Sequence, residues 1–446
     1  MFQKVLIANR GEIAVRVIRA CKDMGIATVA VYSDADQEAL HVGLADESIC
    51  IGKAPAADSY LNMQAILSAA AVTNAEAIHP GYGFLAENAK FAALCEQCNI
   101  RFIGPESRHM IAMGDKDHAR RTMRNLGLPV VPGTEIVSDA GEARAAARDI
   151  GYPLMIKARA GGGGRGIRLV TDESDFERAF LDASREASSG FGDSGLYLEK
   201  YMQNVRHIEV QILADTFGKV ICLGERDCSM QRRKQKVLEE SPAVDLPEQT
   251  RARMHADAVR AAEHIGYVNA GTLEFLVDEA GDHYFMEMNT RLQVEHPVTE
   301  TVANIDLVKW QIRIAAGVPF PYNQEDVNIQ GHSIECRVNA ENPAEGFRPS
   351  SGTVDFLHIP GGPRVRFDTA LYTGCTVPPY YDSLLGKMIV HASTREKAIR
   401  KMQAALAELV ITGVDTNIDL HLDILADPVF QSGAYTTDYL ESRGIK

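Results

Sequence analysis

The chain has 446 residues, 46% apolar and 24% charged, with a formal net charge of −14. Those totals indicate a soluble globular protein of about two to four domains. They argue against a broad nucleic-acid-binding face, which needs basic surface, but leave room for a local basic pocket.

The N-terminal stretch reads β-α-β: "KVLIA" is a strand, "GEIAVRVIRACKDMG" a helix ending at Gly25, and "ATVAVYS" a strand. A helix "SYLNMQAILSAAAVTNA", a strand "AIHPGYG" running into a glycine loop, a helix "NAKFAALCEQCN" and a strand "IRFIGP" follow. The alternation predicts an open, mostly parallel, Rossmann-like sheet, although "ANRGE" lacks the GxGxxG of dinucleotide binding. Residues 114–130 read as a bridge. A smaller unit has strands "YPLMIKA", "IRLV" and "GLYLEKYM", the glycine loop "RAGGGGRG" and the helix "ESDFERAFLDASREASS". A mainly β region comes next, with "RHIEVQILAD", "VICLGERDCS", "GTLEFLVDE" and "DHYFMEMNTRLQVEH" as strands. The helix "IDLVKWQIRIAAG" precedes a final region of strands and loops, closed by the helix "REKAIRKMQAALAELV" and another near 417–426.

The eight cysteines form no disulfide or zinc framework, and Cys95 and Cys98 read as neighbours one turn apart on a helix. With neither a secretory signal nor a membrane-span pattern, the expected setting is a reducing cytoplasm.

Four stretches carry chemistry. In "GTLEFLVDEAGDHYFMEMN" a turn at Ala280-Gly281 pairs Val277 with Tyr284, Leu276 with Phe285, Phe275 with Met286 and Glu274 with Glu287. Facing carboxylates repel unless a cation bridges them, and oxygen ligands from Glu274, Glu287 and Asn289 suit Mg²⁺ or Mn²⁺. Alternatively, both glutamates are simply solvated at a sheet edge. "EMNTRLQVEHP" continues as a strand with Glu287, Asn289, Arg291, Gln293 and Glu295 on one face. Lys157 beside Gly161–Gly164 offers phosphate contacts without a Walker pattern, unless the loop is only a surface loop. "ERDCSMQRRKQKVLEESPA" concentrates Arg226, Arg232, Arg233, Lys234 and Lys236, as either a solvated loop or an anion site. His207, alternating with Glu209 and Gln211, reads as a structural hydrogen-bonder, and Tyr82 sits between Gly81 and Gly83 at a strand-to-helix edge.

These pieces, together with "MGDK", "ECRVNAE" and "VPPYYDSLLGK", occur in the order found in biotin carboxylases. Over essentially its whole length the chain closely resembles that family, the ATP-grasp component of acetyl-CoA carboxylase and related biotin-dependent enzymes. The resemblance implies an α/β ATP-grasp fold. A Rossmann-like domain would span 1–113, an ATP-grasp domain 114–330 with a mobile lid at about 131–203, and a C-terminal α+β domain 331–446.

It also implies roles. Lys116 and Lys157 would contact ATP phosphates, Gly163 and Gly164 would close over them, and Glu199, Lys200 and Met202 would border the adenine. His207 would lie near the ribose or phosphates, and Glu274 and Glu287, assisted by Asn289, would hold Mg²⁺ or Mn²⁺. Bicarbonate would be held by Lys236, Arg291, Gln293 and the backbone of Val294. Glu295 would be the general base, Arg337 would face bicarbonate and biotin, and Tyr82 would touch substrate. Lys234 stands where the family often has a histidine that contacts ATP, and Arg159 where a smaller residue is common.

The chain has no Met-Lys-Met biotin-attachment signature. The expected partners are therefore a separate biotin carboxyl carrier protein and carboxyltransferase subunits, with a homodimer implied by the family and no nucleic acid or membrane. The expected acceptor is an acyl-CoA, acetyl-CoA first, with propionyl-CoA and pyruvate as alternatives. Another ATP-grasp carboxylate–amine ligase would share the lysines and metal glutamates but not "RLQVEHP" with Arg337. A non-catalytic nucleotide-binding protein would be expected to lose Glu274, Glu287 or Glu295.

Overall fold

The computed structural model describes residues 1–137, 139–159, 167–192 and 194–445. The β-α-β start forms as expected from β1 (Lys4–Ile7), the helix Gly11–Asp23 and β2 (Ala27–Ser33). With β3 (Glu47–Gly52), β4 (Ala77–His79) and β5 (Arg101–Phe102) these make a parallel sheet in the order β3-β2-β1-β4-β5. Strands covered on both faces are written as apolar runs, which is why "KVLI" is legible. The strand order reverses between β1 and β4, and a crevice opens beyond their carboxyl ends. There Asn9 Nδ2 donates to the carbonyls of Pro80 and Tyr82, both at 2.7 Å. Gly81 turns between them at φ +62°, where an added Cβ would meet Asn9 Nδ2 at 2.9 Å.

A second unit has β6 (Leu154–Ala158), β7 (Ile167–Val170) and β8 (Leu196–Lys200) in an antiparallel sheet of order β7-β6-β8. The helices Ala140–Ile150 and Glu173–Phe191 pack on it around Leu154, Phe176 and Leu198. Asp139 and Asp172 cap those helices by accepting from the Glu142 and Ser174 N–H groups.

The remaining frame is an antiparallel sheet of eight strands. It contains β9 (Arg206–Ala214), β10 (Val220–Arg232), β11 (Gln235–Ser241), β12 (Asn269–Val277), β13 (His283–Asn289), β14 (His332–Asn339), β15 (Val365–Thr369) and β16 (Leu384–Ala392). Their order is β13-β12-β9-β10-β11-β14-β16-β15. The helix Glu248–His264 covers one stretch through Met254, Ala258 and Ala261 against Ile208 and Phe275. The helix Arg395–Glu408 covers another through Ala398 and Met402 against Met388. Among the described residues no helix is long and apolar enough to cross a membrane.

Four expectations need correction. The bridge at 114–130 contains the helix Lys116–Asn125, capped by Asp115. The basic run is a hairpin: β10 continues to Arg232 and β11 begins at Gln235, with Arg233 (φ +49°) and Lys234 (φ +65°) as its two-residue turn. Both turn residues take the left-handed conformation that such turns demand, without the usual Asn-Gly. The strand proposed through Glu295 ends at Asn289, because the Thr290 N–H donates to Glu87 Oε1 and Leu292 turns into the core. The helix His296–Ala303 then starts with Pro297 in its first turn.

The fourth concerns the hairpin register. Glu274 does face Glu287, but beyond them Phe275 pairs with Phe285, Leu276 with Tyr284 and Val277 with His283. The tip is thus shifted by one residue from the expected pairing. A bulge places Met286 and Glu287 opposite Glu274 and restores the alignment. The shift lets Phe285 and Met288 both enter the core although they are three residues apart.

Candidate active site

The polar face of the eight-stranded sheet, the β6–β8 sheet and the loops beyond β4 and β13 enclose one cavity of about 740 Å³. Every site residue expected from the sequence lines it, except Gly163 and Gly164, which lie outside the described residues.

At one end are the phosphate candidates. Lys157 on β6 pairs with Glu199 on β8, and Arg120 Nη1 lies 2.8 Å from the same carboxylate. Burial pushes the Glu199 carboxyl up, but Lys157 and Arg120 outweigh it and hold it below its ordinary value. Lys116 is the first residue of its helix, where the dipole disfavours a cation and favours an incoming anion. Its Nζ lies 3.3 Å from Glu287 Oε2. Lys200 Nζ instead donates to the carbonyls of Gly151 and Tyr152, both at 3.1 Å. Met202 lines the wall nearby. Burial, then Lys157, lowers the Lys234 ammonium from its ordinary value, so this turn residue lies within the field of Lys157 and Lys116.

At the centre, the bulge sets Glu274 across from Glu287. Glu274 Oε1 accepts from Asn289 Nδ2 at 2.9 Å, Gln293 Nε2 at 3.1 Å and Lys236 Nζ at 3.0 Å. Its other oxygen lies 3.1 Å from His207 Nε2. Burial raises this carboxyl, yet Lys236 and His207 prevail and keep it ionised. Two carboxylates and an amide oxygen make a hard, all-oxygen donor set that fits Mg²⁺ or Mn²⁺. His207 and the buried Glu209 lie close enough to Glu274 for their ligand atoms to be within 4.8 Å of one another.

At the other end stands Glu295, fully buried. Its Oε1 lies 2.6 Å from Lys236 Nζ and its Oε2 2.9 Å from Arg337 Nη2. Burial pushes the carboxyl up, but Lys236, Arg337 and Arg226 outweigh it and hold it well below the usual range. Lys236 is in turn held by Glu209 Oε2 at 2.6 Å, and its proton is retained against burial by Glu209, Glu274 and Glu295. Arg291 donates through Nε to Glu87 Oε2 at 2.9 Å and through Nη1 to Gln293 Oε1 at 2.7 Å. Arg337 also binds Glu239, whose carboxyl burial pushes up to about 7 against the pull of Arg337. Lys236, Arg291 and Arg337 are thus each engaged by a carboxylate.

Sequence reasoning did not place Glu87, Arg120, Glu209 or Glu239 in the site, and it offered Arg226 only as one member of a basic run. Glu209 alternates with His207 and Gln211 on β9, so its face was visible, and Glu87 lies within "HPGYGFLAEN". Arg226 reaches Glu209, Gln211, Thr272 and Thr299 from inside the sheet, contacts that no local pattern announces.

Comparison with known proteins agrees with this geometry. Residues 1–110 match the family model for the biotin carboxylase N-terminal domain, and 335–442 that for the biotin carboxylase C-terminal domain. Residues 115–323 match the ATP binding domain of the carbamoyl-phosphate synthase L chain. Biotin carboxylase 1 of Bacillus subtilis is 52% identical over 447 aligned residues, covering 100% of this chain and 99% of that protein. The crystal structure of a Campylobacter jejuni biotin carboxylase–β,γ-ATP complex superposes with a TM-score of 0.96 at 50% identity, covering 99% of each chain. The biotin carboxylase domain dimer of Hydrogenobacter thermophilus 2-oxoglutarate carboxylase, in complex with MgADP, ADP and bicarbonate, gives 0.95 at 50% identity, covering 100% of this chain and 98% of that one. The chain belongs to the biotin carboxylase family and is an ATP-dependent ligase of the ATP-grasp fold.

Proposed function

We propose that the chain carboxylates the biotin of a carrier protein with ATP and bicarbonate, through carboxyphosphate, as the first half-reaction of an acyl-CoA carboxylase. The observation that carries this reading is the buried Glu295 between Lys236 and Arg337, in the same cavity as Lys116 and Lys157.

Bicarbonate would exchange into the contacts of Lys236, Arg291, Gln293 and the Val294 backbone. Lys236 then turns part of its charge from Glu295 to the substrate, and the carboxylate becomes a better base. Glu295 takes the bicarbonate proton, and the resulting oxyanion attacks the γ-phosphorus while ADP leaves. Lys116, Lys157 and Lys234 hold the phosphates, with Glu199, Lys200 and Met202 beside the adenine. A Mg²⁺ or Mn²⁺ ion on Glu274, Glu287 and Asn289 would neutralise phosphate charge. Carboxyphosphate breaks into CO₂ and phosphate beside biotin; the phosphate takes the proton of the ureido nitrogen, negative charge spreads to the ureido oxygen, and the nitrogen then attacks CO₂ to form carboxybiotin. Arg337 is placed to stabilise that oxygen, with Tyr82 at the opposite rim.

The domain division into 1–113, 114–330 and 331–446 belongs to the same proposal. A lid at about 131–203 is supported by the separate apolar core under β6–β8. A homodimer, a biotin carboxyl carrier protein and carboxyltransferase subunits are the proposed partners. The dimeric Hydrogenobacter domain supports the first of these. Eight unpaired cysteines support a cytoplasmic setting. Acetyl-CoA is the first acceptor to test, and the likeness to a 2-oxoglutarate carboxylase component favours a 2-oxo acid as the second reading.

The test is ADP release with MgATP and bicarbonate, with and without free biotin. Stimulation by biotin is expected, and its absence would overturn the proposal. Adding carrier, carboxyltransferase and each acceptor in turn then identifies the pathway.

A further inference from the structure

Two motifs contribute buried charges that this mechanism does not use: Glu12 of "ANRGEIAVRV" and Lys387 of "VPPYYDSLLGK". They meet just behind the cavity wall. The Lys387 side chain is fully buried, and its Nζ donates to the Val294 carbonyl at 2.8 Å. It lies 3.2 Å from Glu12 Oε1 and 5.7 Å from the centre of the Tyr82 ring. The Tyr82 hydroxyl donates to the same Glu12 oxygen.

The sheet register adds a second relationship. Lys387 on β16 is paired directly with Arg337 on β14, so both cations leave the same face side by side. Arg337 grips the carboxylate of Glu295, while Lys387 grips the carbonyl of the preceding residue. An ammonium is costly to bury, and an apolar side chain would fill the space more cheaply. What the charge adds is a fixed peptide between Val294 and Glu295, tied through Glu12 to the Tyr82 loop.

We propose that Lys387 is a positioning residue for bicarbonate. It fixes the Val294–Glu295 peptide so that the Val294 backbone and the Glu295 carboxylate meet the anion together. Glu12 and Tyr82 link that turn to the biotin side of the cavity. The inference rests on the carboxylase reading of the site.

Steady-state kinetics of the full chain test it. Lys387→Met is expected to raise the bicarbonate KM by about tenfold to 10²-fold, the scale on which small misplacements act. The ATP KM should stay within about twofold, and a larger share of ATP cleavage should proceed without biotin carboxylation. Lack of biotin stimulation in the wild type would defeat the carboxylase reading itself. With an active wild type, an unchanged bicarbonate KM in Lys387→Met overturns the positioning role, whatever happens to Tm. If that variant does not fold, Lys387→Met/Glu12→Gln removes both buried charges together. The double variant is expected to fold with a raised bicarbonate KM, and a wild-type KM there overturns the proposal. Failure of both variants to fold assigns Lys387 to the fold alone and also overturns it.

Discussion

Lys236 Nζ lies 2.6 Å from Glu295 Oε1, so the candidate base is ion-paired before any substrate arrives. The pairing keeps the carboxylate deprotonated in a fully buried position that would otherwise favour the acid form. Under the proposed mechanism it also leaves Glu295 a poor base until bicarbonate draws the ammonium away. Glu295→Gln keeps the shape and removes the proton acceptor. We expect biotin-dependent kcat to fall by about 10²–10⁴-fold, with ATP binding by calorimetry unchanged. Normal turnover in this variant would remove Glu295 from the role.

Arg337 spans Glu239 and Glu295 and faces the cavity. In Arg337→Ala, biotin carboxylation is expected to drop by about 10²–10³-fold, the effect of losing one oxyanion donor. Bicarbonate-dependent ATP cleavage should fall far less. Parallel measurement of carboxybiotin and ADP checks this, and equal losses would count against a biotin-specific role.

Lys234 stands in a left-handed turn near Lys157 and Lys116. Its ammonium, lowered by burial and then by Lys157, loses its proton at a lower pH than an ordinary lysine. Deprotonation removes a positive charge, so ATP affinity should weaken as pH rises through that range. Lys234→Met should bind ATP about tenfold more weakly at neutral pH and show a flatter alkaline limb and a smaller salt dependence. An unchanged ATP affinity would take Lys234 out of the nucleotide site.

Glu240 is a structural counterpart, far from substrate roles. It is fully buried, with His332 Nε2 at 2.6 Å, Arg395 Nε at 2.7 Å and the Tyr435 hydroxyl also bound to it. Burial raises its carboxyl, but His332 and Arg395 bring it down to about 2 from an ordinary 4.5. A lowered folded value means stability that is present above pH 4.5 and lost as pH falls towards 2. The contribution is on the order of 3 kcal/mol. Glu240→Gln should destabilise the chain at pH 7 and flatten the acid slope of urea-unfolding free energy. An unchanged slope would refute the assignment.

Legibility in the sequence followed the range of each signal. β1, β2 and the helix Gly11–Asp23 were readable because burial on one or both faces imposes a local period. The Glu274–Glu287 pairing was readable from the turn "DEAGD", even though the residues nearest that turn adopt another register. The start of β10 was legible as a strand, but its continuation into the hairpin with β11 was not, because that stretch carries charged residues such as Arg226, Asp227, Glu239 and Glu240 that are buried against other charges. The helix Glu248–His264 was missed because its buried stripe is weakly apolar, with Ala258, Ala261 and Ala262 beside Thr250 and Asp257 and only Met254 as a large apolar residue. Lys387 was visible within a motif, but its contact with Val294 spans 93 positions, and only the folded chain brings them together.

The bulge at Met286 separates two requirements that one uninterrupted strand could not meet. Strict alternation would send Phe285 and Glu287 to the same side, putting either an aromatic ring among ligands or a carboxylate among core aromatics. One extra residue lets the outer half of the hairpin answer to packing and the inner half to chemistry. Substitutions or length changes in the 278–282 turn can therefore be absorbed while Glu287 keeps its place. Deleting Met286 alone would close the bulge while leaving Glu274 opposite Glu287 and Phe275 opposite Phe285, so both carboxylates should keep their face and activity should largely survive.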